Sequence, residues 1–262
     1  MSNTKQKGFC PFSMFLLGVS AVTATYLIIQ DRKSKNVNKN NDEEEEMPAC
    51  TVVFVVGAPG TGKGTQCEML VKKTADEWTH LSTGDLLRAE RQRVKDASEK
   101  NNSNSNSDTE DLSLGQQIED CINAGKLVPS SITVQLLEKG MHQAYQQNNK
   151  CTQFLLDGFP RGQDNIDAWE KLCGQKHTVV AVLNYDCPEE VLVGRLLERG
   201  KNSGRSDDNM ATIRKRFQTH VEACKPVLEK YGTEGLLYNI DADRSKEEVF
   251  KQTYEIVQKI KK

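Results

Sequence analysis

Thr51 to Gln66, TVVFVVGAPGTGKGTQ, joins an apolar β-branched run to a loop holding four glycines and one lysine, a junction that few folds accommodate. Val52 to Val56 has the composition of a strand buried on both faces. Gly57, Gly60, Gly62 and Gly64 admit backbone conformations closed to other residues, and Gln66 to Lys72 then begins a helix. Successive backbone N–H groups and the positive end of that helix converge on one point, which suits a phosphate. Lys63 adds a mobile charge for the β- and γ-phosphates, so the expected ligand is a nucleoside triphosphate. The spacing Gly57-x4-Gly62-Lys63 fits the P-loop pattern, with Gly64 where Ser or Thr usually follows the lysine and Thr65 one step later. By itself the loop could still be a glycine-rich turn in another α/β protein.

Strands alternate with helices along the rest of the chain. Thr152 to Leu156, ending at Asp157, reads as a second strand, His177 to Tyr185 as a third and Leu236 to Asp241 as a last one. Helical spacing or end signals mark Gly84 to Arg93, Leu114 to Ala124 with Gly125 as C-cap, and Ile132 to Tyr145. They also mark Pro188 to Arg199, Asn209 to Glu229 with an interruption near Pro226, and Lys246 to Lys261. Such alternation implies an α/β fold with a doubly wound parallel sheet and ligands at the carboxyl ends of its strands. Asp96 to Glu110, containing NNSNSNSD, reads as a low-complexity surface insertion.

The first 48 residues stand apart. Gly8 to Gln30 carries no charged residue, and Phe12 to Ile29 is an apolar run close to the ~20 residues of a spanning helix. Residues 1–30 are therefore expected to anchor the chain in a membrane; the rival is a cleaved signal, with Lys5 and Lys7 before the run and Val22 and Ala24 before a cut. Continuation through Tyr26-Leu27-Ile28-Ile29 exceeds the usual ~7–15-residue signal core and favours the anchor. Arg32, Lys33, Lys35 and Lys39 outnumber Lys5 and Lys7, which places the C-terminal domain on the cytosolic side; a cleaved signal would instead direct it to an organelle or secretory lumen. Residues 31–48, with Glu43 to Glu46, have almost nothing to bury and read as an acidic flexible tether, leaving 49–262 as the catalytic domain. A net charge of −2 gives no reason to expect a nucleic-acid partner.

Three further segments follow the loop in order: HLSTGDLLR at His80 to Arg88, FLLDGFPR at Phe154 to Arg161, and RLLERGKNSGRSDDN at Arg195 to Asn209. Together with GAPGTGKGT at Gly57 to Thr65, they resemble the nucleoside monophosphate kinases of the adenylate kinase family, from about Cys50 to the C-terminus. Within that family the chain looks most like the UMP/CMP kinases, with adenylate kinase as their close relative. The resemblance implies a five-stranded parallel sheet flanked by helices, a monophosphate-binding segment over about residues 82–131, a short lid over about 200–209 and a monomer. It also implies ATP as phosphoryl donor, Mg²⁺ as metal and a pyrimidine nucleoside monophosphate (UMP, CMP or dCMP) as acceptor. Adenylate kinase acting on AMP and a non-catalytic nucleotide-binding scaffold are the alternatives.

Phosphoryl transfer needs an in-line acceptor and neutralisation of two anionic reactants. The acceptor monophosphate is already ionised, so no general base is required, and arginine is suited to the task because its planar fork pairs with phosphate oxygens and stays charged. The resemblance assigns Arg88 and Arg161 to the acceptor phosphate, and Arg199, Arg205 and Arg216 to the transferring group and donor phosphates. Arg195 would stack on the donor adenine. Ala58, Pro59, Gly60, Thr61, Gly62, Lys63, Gly64 and Thr65 would cradle ATP together with Arg195 and Arg199. Asp157 and Thr65 would hold Mg²⁺ through water, although Thr65 could equally cap its helix. Asp157 ends a buried strand and so needs a partner. Asp207 and Asp208 would meet the lid arginines, and Gly200 and Gly204 would serve as hinges or as helix stops.

Thr83, Arg88, Lys126, Val128, Gly158, Arg161, Asn165, Arg205 and Arg216 would line the acceptor site. Asn165 stands where the resembling UMP/CMP kinases use Asn and many adenylate kinases use Gln, and by turning over its amide could match uracil and cytosine. Thr83 points the other way, since Ser-Thr-Gly-Asp is the adenylate kinase form.

Overall fold

The structure, a computed structural model, describes residues 47–100, 108–147, 151–203 and 207–260. The expected anchor, nearly all of the tether, the middle of the insertion, and Gly204 and Arg205 of the expected lid lie outside the described residues.

The apolar run of the phosphate loop becomes β1 (Thr51–Gly57), the central strand of a sheet ordered β2-β3-β1-β4-β5. Its partners are β2 (Thr79–Ser82), β3 (Gln153–Asp157), β4 (Thr178–Asp186) and β5 (Leu237–Asp241), and every neighbouring pair is parallel. This is the five-stranded parallel sheet that the family resemblance implied. The connecting helices are α1 (Lys63–Lys73), α2 (Thr83–Lys100), α3 (Asp108–Ala124), α4 (Ser130–Gln147), α5 (Gln163–Leu172), α6 (Glu189–Ser203), α7 (Met210–Thr233) and α8 (Lys246–Ile260).

Several boundaries differ from those read off the chain. α1 starts three residues early, because Gly62 adopts φ +85° and turns the loop directly into the helix as its N-cap. β2 is only four residues long, too short for alternation to show, and becomes a strand because β3 offers it a ladder, with Leu81 opposite Leu156. The ten residues of α5, which spacing did not single out, take their place by burying Ile166 and Trp169. α2 continues to Lys100 and α3 begins at Asp108, so both helices extend into the low-complexity stretch; Lys95 and Glu119 tie them together at 2.8 Å. Pro226 lies inside α7 without ending it.

A strand shows alternate side chains to opposite faces, and β1 buries both. Val53 and Val55 pack with Leu70 and Trp78 on one side, in a cluster that also takes in Val249 and Val257 of α8. Phe54 points the other way, edge-on to Phe159, Trp169 and Tyr231 at centroid distances of 5.4, 5.3 and 5.8 Å. Burial on both faces is the physical origin of the uninterrupted apolar run. Phe54 thereby anchors the turn after β3 and helices α5 and α7 to the strand that carries the phosphate loop. Phe54→Ala should lower the free energy of unfolding by about 3–5 kcal/mol, read from the denaturant midpoint, because three rings cannot collapse into one vacated site.

Candidate active site

Since β1 and β3 are parallel neighbours, the loop leaving β1 and the carboxylate ending β3 emerge side by side. Val55 is in register with Asp157, and Gly158 N–H donates to Val55 O at 2.8 Å. Lys63, in the first turn of α1, donates from Nζ to the carbonyls of Gly57 and Ala58 at 2.8 Å each and to Thr61 Oγ1 at 3.2 Å. Its ammonium is thus held at the mouth of the glycine loop. Burial lowers its pKa to about 8; Asp157 opposes that shift, while Arg161 and Arg216 add to it. A Cβ on Gly64 would stand 3.4 Å from Asp157 Oδ2, an ordinary contact distance that puts the first turn of α1 beside that carboxylate. Thr65 is exposed in the first turn and is not the cap, a role Gly62 takes without any side-chain bond.

Asp157 is 9% exposed and has the partner its burial demands: His80 Nε2 lies 3.4 Å from Oδ2. Burial pushes the carboxyl pKa up, but the His80 hydrogen bond and the charges of Lys63 and Arg161 outweigh it and hold the group below its ordinary range. Asp157 is therefore ionised at neutral pH. His80 was visible in its motif but carried no assigned role. Its partner is 77 residues away, and only the β2–β3 pairing brings the two together.

The arginines converge, and carboxylates organise them. Arg161 Nε donates to Gly158 O at 2.7 Å, and Gly158 sits at φ +76° where a Cβ would come within 2.9 Å of Arg161 Nη2. Only glycine leaves the guanidinium its place. Burial and the nearby Arg216 both lower the Arg161 pKa, which marks the two guanidinium groups as neighbours. Arg199 grips Asp208 in a fork, Nε to Oδ2 at 2.6 Å and Nη2 to Oδ1 at 2.7 Å. Arg216 reaches Asp207 at 2.8 Å and Asp208 at 2.9 Å. Asp207 and Asp208 thus perform the expected pairing. Arg88 is held by Asp85 at 2.5 Å. Arg195 lies toward the end of β5, donating to Ala242 O at 3.1 Å. Gly200 falls inside α6 and is neither a helix stop nor a break; a Cβ there would stand 2.7 Å from Asp208 O, so it permits the close approach that Arg199 and Asp208 require.

In the acceptor segment, Thr83 is 3% exposed and its Oγ1 has no hydrogen-bond partner. Asn165 differs from the freely turning amide expected. Its Oδ1 accepts from Arg161 N–H at 2.9 Å and its Nδ2 donates to Ser130 Oγ at 2.7 Å, so the amide orientation is set at both ends. Ser130, 35 residues upstream, gave no sign of this in the chain. Val128 packs with Leu87, Ile118 and Leu136 in the core of the segment, and Lys126 is exposed after α3.

Residues 55–236 match the family model described as adenylate kinase. The chain belongs to the adenylate kinase family. It is 44% identical over 208 residues to the UMP-CMP kinase of Danio rerio and to that of Homo sapiens, with 79% of this chain and 97% of each relative covered. The UMP-CMP kinase of Xenopus tropicalis is 41% identical over 205 residues, covering 78% of this chain and 95% of the relative.

Asp208, with no exposed side-chain surface, joins Arg199 and Arg216. Burial raises its pKa, yet the Arg199 hydrogen bonds and both arginine charges bring the net value below the ordinary one. A depressed folded-state pKa contributes stability above the unfolded value of ~3.9, and that contribution is lost as pH falls through the folded value. Asp208→Asn should therefore cost about 3 kcal/mol near neutral pH, since it leaves two partly buried guanidinium groups short of a partner. It should also flatten the loss of stability below about pH 4, as read from urea midpoints measured across pH.

Proposed function

We propose that this chain transfers the γ-phosphoryl group of ATP to a pyrimidine nucleoside monophosphate, UMP or CMP and also dCMP, giving the diphosphate and ADP. One observation carries this reading: Lys63 Nζ is held over the glycine loop by the carbonyls of Gly57 and Ala58, while Asp157 and the turn that carries Arg161 leave the neighbouring parallel strand beside it. Such a constellation neutralises two anionic reactants.

The loop N–H groups and Lys63 bind the donor phosphates. Arg161, fixed by Gly158 O and Asn165, orients the acceptor phosphate, with Arg88 beside it. Arg199 and Arg216, aligned by Asp208, stabilise charge on the group in transit, and Arg205 is assigned to join them. Arg195 is assigned to the adenine. Asp157 and Thr65 fit Mg²⁺ held through water: both offer oxygen, the carboxyl is ionised, and the first turn of α1 that carries Thr65 lies beside Asp157 at Gly64. When bound there, the metal neutralises charge on the donor phosphates.

Identity to UMP-CMP kinases over nearly their whole length supports the pyrimidine acceptor. One observation favours AMP: the Thr83 hydroxyl, buried without a partner, could accept a contact from a base. Rates with UMP, CMP, dCMP and AMP at matched concentrations decide the matter, and turnover of AMP far above either pyrimidine would overturn the proposal. Lys63→Met should lower kcat by about 10²–10³-fold while the fold persists.

We further propose a membrane-anchored monomer with its kinase domain on the cytosolic side. No helix of the described residues is long and apolar enough to cross a membrane, and the apolar run Phe12 to Ile29 lies outside them. The full chain is expected in the membrane fraction and residues 47–262 in the soluble fraction with activity retained. Equal partitioning of the two would end the anchoring proposal.

A further inference from the structure

The side chain of Asn165, in the first turn of α5, bridges two parts of the chain assigned to the acceptor. Its Oδ1 accepts from the backbone N–H of Arg161, in the turn after β3, at 2.9 Å. Its Nδ2 donates to Oγ of Ser130, the first residue of α4 and directly after Val128-Pro129, at 2.7 Å. The two partners differ in what they permit. A backbone N–H can only donate, so it requires the amide oxygen, whereas the Ser130 hydroxyl can donate or accept and would take either end. Turning the amide over would set its NH₂ against Arg161 N–H and lose that bond. The Arg161 contact therefore decides the sense of the amide, and Ser130 holds its far end in place.

These bonds leave half of the amide's capacity unmet. A primary amide has two acceptor sites on oxygen and two hydrogens on nitrogen, and among the described residues Asn165 uses one of each. The residue is 4% exposed, so water has little access to the remaining lone pair and N–H. What is left is one acceptor and one donor in a fixed order. Along the edge formed by N3 and the C4 substituent, uracil and cytosine present opposite orders: an N3–H donor beside the O4 acceptor in uracil, an N3 acceptor beside the N4 amino donor in cytosine. A pinned amide can meet only one of them at both positions.

We propose that Ser130 is a positioning residue for the choice of acceptor base, holding the Asn165 amide in one sense so that the site favours one of the two pyrimidines, uracil or cytosine, over the other. This rests on the pyrimidine acceptor proposed above. Asn165 contacts the base, and Ser130 acts through it. A capping role for Asn165, reaching back to a backbone N–H at the helix start, would need Oδ1 alone and gives no reason for the bond to Ser130 or for the unused pair.

The test uses the full chain with ATP and Mg²⁺ and reads the ratio of kcat/KM for UMP to kcat/KM for CMP. In wild type the ratio should depart from one by at least about fivefold, the effect of a buried polar group left unpaired by the wrong base. Asn165→Asp keeps an oxygen for Arg161 N–H and lets the Ser130 hydroxyl donate in place of accepting, so the side chain stays pinned while its remaining donor becomes an acceptor. The preference should then invert, because the atom that needed an acceptor on the base now needs a donor. Ser130→Ala leaves the amide held at one end and should bring the ratio to within about twofold of one, chiefly through the acceptor KM, and Ser130→Thr, which keeps the hydroxyl, should restore it. The two Ser130 variants decide the matter independently of Asn165→Asp. A wild-type ratio nearer to one than expected, or a Ser130→Ala ratio equal to that of wild type, would overturn the proposal while leaving the pyrimidine acceptor intact. Failure of the wild type to phosphorylate either pyrimidine would overturn the acceptor reading itself.

Discussion

Cationic side chains crowded at the carboxyl ends of β1 and β3 repel one another, and the rest of the structure depends on how that repulsion is offset. Asp157 offsets Lys63 and Arg161 at longer range, and Asp207 and Asp208 lie against Arg216, with Arg199 forked on Asp208. Each of these acids is nearly or wholly buried, which costs solvation that only a well-placed partner returns. The arrangement therefore fixes guanidinium positions more than it adds stability. That is what a transfer site requires, since preorganised charge contributes most when it need not move during the reaction.

The backbone holds these charges at close range through two exceptions to ordinary side-chain geometry. Gly158 leaves room for the Arg161 guanidinium over its own turn, and Gly200 lets the chain at Asp208 come against α6. Beneath them, the rings around Phe54 bind the central strand to the elements that carry Arg161 and Arg216. Packing and electrostatics are thus coupled: a displacement of α7 would shift Arg216 relative to the phosphate loop.

Much of this was legible along the chain, in proportion to how local each feature is. The phosphate loop is contiguous, so its strand, glycines, lysine and helix could be read together, and Asp157 announced itself as an acid ending an apolar strand. The pairing of Asp207 and Asp208 with arginines was legible because those partners lie within ten residues. Less visible were β2, whose four residues carry no periodicity, and α5, whose caps Gly162 and Cys173 supply no side-chain cap bond at its start and no glycine at its end. His80 stood in a motif without a function, Ser130 was silent, and Asn165 was expected to turn freely where the fold pins it. In all three cases the deciding partner is distant in sequence.

The amino-acid order alone determined an alternating α/β chain with a phosphate-binding loop, four motifs in the order of one kinase family, and an apolar segment ahead of the domain. Those properties arise from short-range causes: backbone freedom at glycine, hydrophobic periodicity and residue spacing within a single turn or strand. Tertiary structure decided which histidine faces Asp157, what holds Asn165 and why residue 200 must lack a side chain. Sheet order and helix packing set these contacts, because they bring together groups whose chain separation carries no local signal.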